Sequence, residues 1–209
     1  MSASTKEIDQ ALLTVRRAYR LLHDYQRAAL DAAKYIGAQL GFTYDGGYSN
    51  FSNCAPRDGK GDLDNWSWDW LNLVFYDFTF TRKIGAKEVH LSIWLFSDTG
   101  YFISDHTAAE HTDVTTFAPV ENSGTQLGFL LYRVWNNAYD QFRYDKDGVR
   151  RFLENDGEVP GNLKDAGILG KCCDFSRLSD EASTDAVIGE LVQLAKSSGF
   201  PLERVNRAG

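Results

Sequence analysis

An apolar stripe from Ile8 to Leu40 is the strongest constraint on what this chain can fold into. Positions 8, 12, 15, 19, 22, 26, 29, 33, 36 and 40 alternate spacings of four and three. They read Ile, Leu, Val, Tyr, Leu, Gln, Ala, Ala, Ile, Leu, so that only Gln26 interrupts the run. A repeat of about 3.5 residues keeps one face of an α-helix apolar, whereas a strand needs a period of two. Ser4 and Glu7 fit a capping box, in which each side chain satisfies an orphan backbone donor, and Gly41 followed by Phe42 supplies a left-handed stop. The spacing therefore predicts a helix over residues 5–40, ~54 Å long at ~1.5 Å per residue. That exceeds the body of a domain of 209 residues. Either the helix kinks near Gly37, or its free portion packs on another helix or a second subunit. Small Ala29 and Ala33 favour close packing inside the domain, with a homodimer through the long helix as the alternative.

Downstream the periodicity changes. "TYDGGYS" (43–49) predicts a tight turn between short strands, because Asp-Gly tolerates positive φ. Residues 51–65 read as a loop. From Trp70 to Arg82 the chain is aromatic and β-branched, as a strand should be. "EVHLSIWLFS" (88–97) predicts a second strand with Val89, Leu91, Ile93 and Leu95 on the core face and His90, Ser92, Trp94 and Phe96 on a half-polar face. "DTG" turns it into a third, "YFISD" (101–105), completing an antiparallel meander, and "DVTTF" (113–117) adds an edge strand. A helix over 124–144, a helical turn in "VRRFLEN", a glycine-rich loop at 155–171 and a last helix over 180–197 follow. This order predicts an α+β fold: a long N-terminal helix, a central antiparallel sheet, and C-terminal helices packed on it. A single domain over 1–209 is expected, with the long helix in 1–41, the sheet in 42–122 and a helical region in 123–209.

Charge is unevenly placed. The net charge is −7, yet residues 1–40 carry +2, and the interval from Glu88 to Tyr132 holds Glu88, Asp98, Asp105, Glu110, Asp113 and Glu121 with no Lys or Arg. Such a field disfavours direct contact with nucleic acid and favours a basic protein partner. A second acidic stretch, "GKGDLDNWSWDW" (59–70), interleaves Asp62, Asp64 and Asp69 with Trp66 and Trp68 at the mouth of the first long strand. Indole faces beside carboxylates accept Arg and Lys side chains. The binding surface expected from sequence is thus Asp62, Asp64, Trp66, Trp68, Asp69, Asp98, Asp105, Glu110 and Asp113. Function is read as an acidic protein-binding or inhibitory module, of the immunity or nucleic-acid-mimic kind.

The competing reading is a metal-dependent hydrolase or nuclease-like enzyme. Asp77 shares a face with Leu71, Leu73 and Phe75, so its carboxylate requires a partner, either Arg82 or a helix arginine. With Glu88 and His90 on the next strand it makes a candidate catalytic set, and His106, Glu110, His111 and Asp113 are candidate metal ligands. Helix–strand–strand–strand–helix order resembles that of PD-(D/E)XK nucleases, but His90 stands where that pattern has its lysine. "RYDKDGVRRFLE" (143–154) has acids at several EF-hand positions, with Arg143 replacing the first ligand, and reads as a joint between helices. No cofactor motif is present, and none is expected. Cys54, Cys172 and Cys173 read as reduced, buried thiols. No apolar run is long enough for a membrane span, and "MSASTKEIDQ" lacks a signal-peptide core, so a cytoplasmic location is expected.

Overall fold

The long helix forms without a break. A computed structural model describes residues 4–51, 74–104, 114–133 and 137–205, and in it α1 runs unbroken over Thr5–Gln39. Both halves of the capping box are made, and Gly41, at φ +69°, closes the C-terminus. Gly37 is a packing position: a Cβ there would lie 2.6 Å from the Phe80 ring, so only glycine lets α1 settle this close to the sheet. The helix does project. Ala29, Ala33, Ile36 and Leu40 of the stripe are buried, whereas Ile8, Leu12, Val15 and Tyr19 are exposed.

The described residues form one five-stranded antiparallel sheet in sequence order. Its strands are β1 (Thr43–Asn50), β2 (Phe75–Ile84), β3 (Lys87–Phe96), β4 (Gln126–Tyr132) and β5 (Leu169–Asp174). The segment "TYDGGYS" does not turn. It is the body of β1, and the extra residue is absorbed in a bulge between Tyr44 and Gly46, where Gly46 takes φ +141°. Between β3 and β4 lie α2 (Gly100–Ile103) and two 3-10 turns, Val114–Thr116 and Val120–Asn122. Where strands are expected at 101–105 and 113–117, the described residues Gly100–Ile103 and Val114–Thr116 form helical turns instead. The cause at the first is local, because Asp98 Oδ1 accepts the Gly100 N–H at 2.7 Å and starts a turn.

The helix expected over 124–144 is also corrected. Its first part is β4, and among its described residues Asn137–Tyr144 is helical, as α3. "QLGFLLY" is apolar on both faces because both faces of the sheet are covered, and a short continuous apolar run has no period that separates strand from helix. After α3 come α4 (Lys146–Glu154), α5 (Gly161–Asp165) and, beyond β5, α6 (Glu181–Ser197). The expected loop at 155–171 therefore contains α5 and the start of β5. One core joins α1 and α6 to Phe78, Phe80, Leu91, Ile93, Phe129 and Leu131. The other joins α2 to α5 to Phe75, Trp94, Phe96, Leu130 and Tyr132. The face of β3 read as half polar is therefore interior, with His90 alone partly accessible at its end.

Candidate functional site

Asp77 lies at the centre of a polar cluster inside the second core. It stands between Tyr48 of β1 and Trp94 of β3 in the ladder, and it is fully buried. The α3 helix brings Tyr139 and Arg143, four residues apart and so on one face, down onto it. The Tyr139 hydroxyl donates to Asp77 Oδ2 at 3.1 Å and accepts from Trp94 Nε1 at 3.2 Å. Ser92 Oγ lies 2.7 Å from that hydroxyl and 3.3 Å from the Tyr132 hydroxyl, so a chain of hydroxyls crosses three elements. Arg143 Nη1 stands 3.9 Å from Asp77 Oδ2, while Nη2 holds Asp140 at 3.1 Å. The Arg143 guanidinium also sits 4.7 Å from the ring centres of both Tyr48 and Tyr144.

Burial dominates the electrostatics. It raises the Asp77 carboxyl to about 6, against the opposing effects of Tyr139, Ser92, Arg143 and Trp94. Asp77 Oδ1 and the Asn50 side-chain amide have no hydrogen-bond partner among the described residues, which adds to the cost of burying them. Burial likewise pushes the Tyr139 and Tyr132 hydroxyls up, so both stay protonated at neutral pH. The helix arginine expected beside Asp77 is Arg143. Arg82 instead donates to the carbonyls of Leu40 at 2.6 Å and Glu203 at 3.0 Å, clamping the end of α1.

Glu88 and His90 do not join this cluster. His90 lies opposite Thr81, four residues along β2 from Asp77, which is ~13 Å at strand geometry. Its Nε2 is 3.3 Å from Glu88, and its ring stacks on Tyr132 at 5.1 Å. No three His, Cys, Asp or Glu side chains converge on a metal position among the described residues. His106, Glu110, His111, Asp113 and Asp105 lie outside the described residues, as do Asp62, Asp64, Trp66, Trp68 and Asp69.

The register places several of the remaining charges at the sheet ends. Phe96, Gln126 and Asp174 are level with one another across β3, β4 and β5. Asp98 leaves β3 at this end, Glu121 precedes β4 here, and Asp174 closes β5. At the opposite end lie Arg82, Lys83 and Lys87 of the β2–β3 hairpin, with Glu88, and Arg133 after β4. The α1 helix links the two: Leu40 meets Arg82 at the basic end, and the Tyr25 hydroxyl donates to Ser97 at 3.0 Å at the acidic end. Residues 5–24 therefore project past the acidic end.

The match to a family model covers residues 5–200, from the first turn of α1 to Phe200, three residues beyond α6. The chain belongs to the PM0109 family. No curated protein and no solved structure matches it.

Two further features of this PM0109-family chain resolve into ordinary structure. The EF-hand-like stretch is the joint between α3 and α4, where Asp145 lies 3.9 Å from Arg151 and Glu154 accepts from Arg150 at 3.0 Å. Its carboxylates already face guanidinium groups, which compete with a cation. A groove of about 950 Å³ between β5 and the end of α6 is lined by Arg133, Lys164, Lys171 and Phe200. Its cations are engaged: Lys171 by Glu190 at 2.8 Å, Lys164 by Glu158, and Arg133 by the Gly199 carbonyl at 3.0 Å.

The sequence pattern singled out Asp77 but missed Tyr139, Ser92 and Tyr132 as its company. The signal was present in the spacing of Tyr139 and Arg143, a polar pair one turn apart on the face that also carries the buried Phe142. Asp174 was missed too, because its place at the same sheet end as Asp98 depends on the β3–β4–β5 register.

Proposed function

We propose that the protein works by binding: it is an acidic, inhibitory or immunity-like module that engages a basic protein partner through the sheet end carrying Asp98, Glu121 and Asp174. One observation carries this reading, the gathering of Asp98, Glu121 and Asp174 at one end of the strands while Arg82, Lys83, Lys87 and Arg133 lie at the other. Acids gathered in this way attract an approaching basic surface and speed encounter. The acidic tryptophan stretch with Asp62, Asp64, Trp66, Trp68 and Asp69, and the acids Asp105, Glu110 and Asp113, are further candidates for contact with a basic partner on the strength of their sequence. Supporting it further, Asp77, the buried acid with a strongly shifted proton affinity among the described residues, is fully enclosed and so poorly placed to meet a substrate. Self-association through the projecting part of α1 is the second contact in this reading.

Capture from the native cell on the immobilised protein, eluted with rising salt, tests the proposal. Wild type should retain a basic protein that salt releases, and Glu121→Lys with Asp174→Lys should lose it. Both positions are exposed, so the pair leaves the core intact. A partner indifferent to salt and to both reversals would overturn the reading.

A further inference from the structure

We infer that residues 5–24 of α1 pair antiparallel with the same segment of a second copy, about a two-fold axis passing near Leu13 and Thr14. This rests on the self-association just proposed and assigns its geometry. The stripe that runs through α1 has one spacing but two environments. Ala29, Ala33, Ile36 and Leu40 are buried in the core with the sheet and α6 and Leu22 is half-buried, while Ile8, Leu12, Val15 and Tyr19 are 48, 48, 45 and 63% exposed. Twenty residues of free helix, ~30 Å long, carry an apolar seam that nothing in the protomer covers among the described residues.

Spacing places Leu12 and Tyr19 at the a positions of a heptad, and Ile8 and Val15 at the d positions. An antiparallel pair matches a with d, giving the layers Ile8 with Tyr19 and Leu12 with Val15, each twice by symmetry. In that register Asp9 and Arg16, both at e, flank the same side of the seam and face each other across it in both copies. Sliding by one heptad would bring Arg16 against Arg16, or Asp9 against Asp9. Parallel pairing would set Ala11 and Ala18, at g, opposite the e positions and leave Asp9 and Arg16 without a partner across the seam. The charges thus select one orientation and one register. Overlap ends where it should: Thr5 falls opposite Leu22, just before Tyr25 enters the partner's body at its contact with Ser97.

Sedimentation of the full chain at low and high salt tests the assignment. Wild type should be a dimer, and Leu12→Asp a monomer with its helical circular dichroism retained. Asp9→Arg alone and Arg16→Asp alone should each weaken the dimer, by roughly tenfold when an attractive pair becomes a repulsive one twice over. The double exchange Asp9→Arg with Arg16→Asp should restore it. A wild-type monomer at every concentration would overturn self-association itself. A dimer insensitive to Leu12→Asp, or to both charge changes, would leave α1 pairing or its antiparallel register refuted. The variants Glu121→Lys and Asp174→Lys should leave the dimer unchanged, which separates this result from the fate of the acidic end.

Discussion

Tyr139 and Asp77, 62 residues apart in sequence, share a 3.1 Å hydrogen bond with no access to solvent, and this contact fastens α3 to the centre of the sheet. Its energetics depend on protonation. In the fold the Asp77 carboxyl sits at about 6, above its ordinary 3.8, because burial disfavours the charge. Between those values the folded protein holds a proton that the unfolded chain releases. Stability from this group is therefore fully present below about pH 4, falls as pH rises to about 6, and is level above.

Asp77→Asn removes that titration. Urea unfolding of both proteins at about pH 4.5 and about pH 6.5 should show their stability difference shifting by about 2 kcal/mol, wild type losing ground at the higher pH. Other carboxylates titrate equally in both proteins, so the subtraction isolates Asp77. Parallel pH profiles would mean that the carboxyl is not held as the geometry requires.

Tyr139→Phe keeps the ring in place and deletes the hydroxyl. Trp94 Nε1 loses its acceptor, and Asp77 loses its nearest donor. A destabilisation of roughly 1–3 kcal/mol is expected, since buried polar groups are left unmade. The same change should move the pH window of Asp77 upward, because a donor to the ionised form has gone. A variant as stable as wild type, with an unmoved window, would contradict the hydrogen bond.

Much of this architecture was legible in the chain, and the unreadable parts share a cause. The α1 helix, its cap, its stop and its length follow from the Ile8–Leu40 stripe and from Ser4, Glu7 and Gly41, all of which act locally. The β3 strand was readable because Val89 to Leu95 alternate. The β4 strand was not, since Leu127, Phe129 and Leu131 point to one core and Leu130 and Tyr132 to the other, which erases the alternation. At the candidate site Asp77 stood out as an acid among aliphatics. Its setting needed the register that brings Trp94 beside it and the docking of α3, and neither is encoded within a short window.

Gly128 in the middle of β4 tests the two-sided packing directly. A Cβ there would lie 2.7 Å from the Phe152 ring, which is itself wedged against Trp94 and Phe142. Gly128→Ala should cost about 1–3 kcal/mol, since a well-packed core has no room to give. Adding Phe152→Leu should recover part of that loss. A double-mutant cycle by thermal or urea unfolding should therefore show favourable coupling between the two sites.

Adjacent Cys172 and Cys173 point to opposite cores and are both buried as free thiols. Burial pushes both above the usual range, Cys173 to about 11, so neither supplies thiolate at neutral pH. In a Cys54→Ser background an aromatic disulfide reagent at about pH 8 should leave the folded protein unlabelled and titrate two thiols once urea unfolds it. The labelling rate should follow global unfolding, because β5 is bonded along its length to β4 and Cys172 N–H donates outward to Asp156 at 2.8 Å. Rapid labelling without denaturant would place the thiols at the surface and break the two-core description at its last strand.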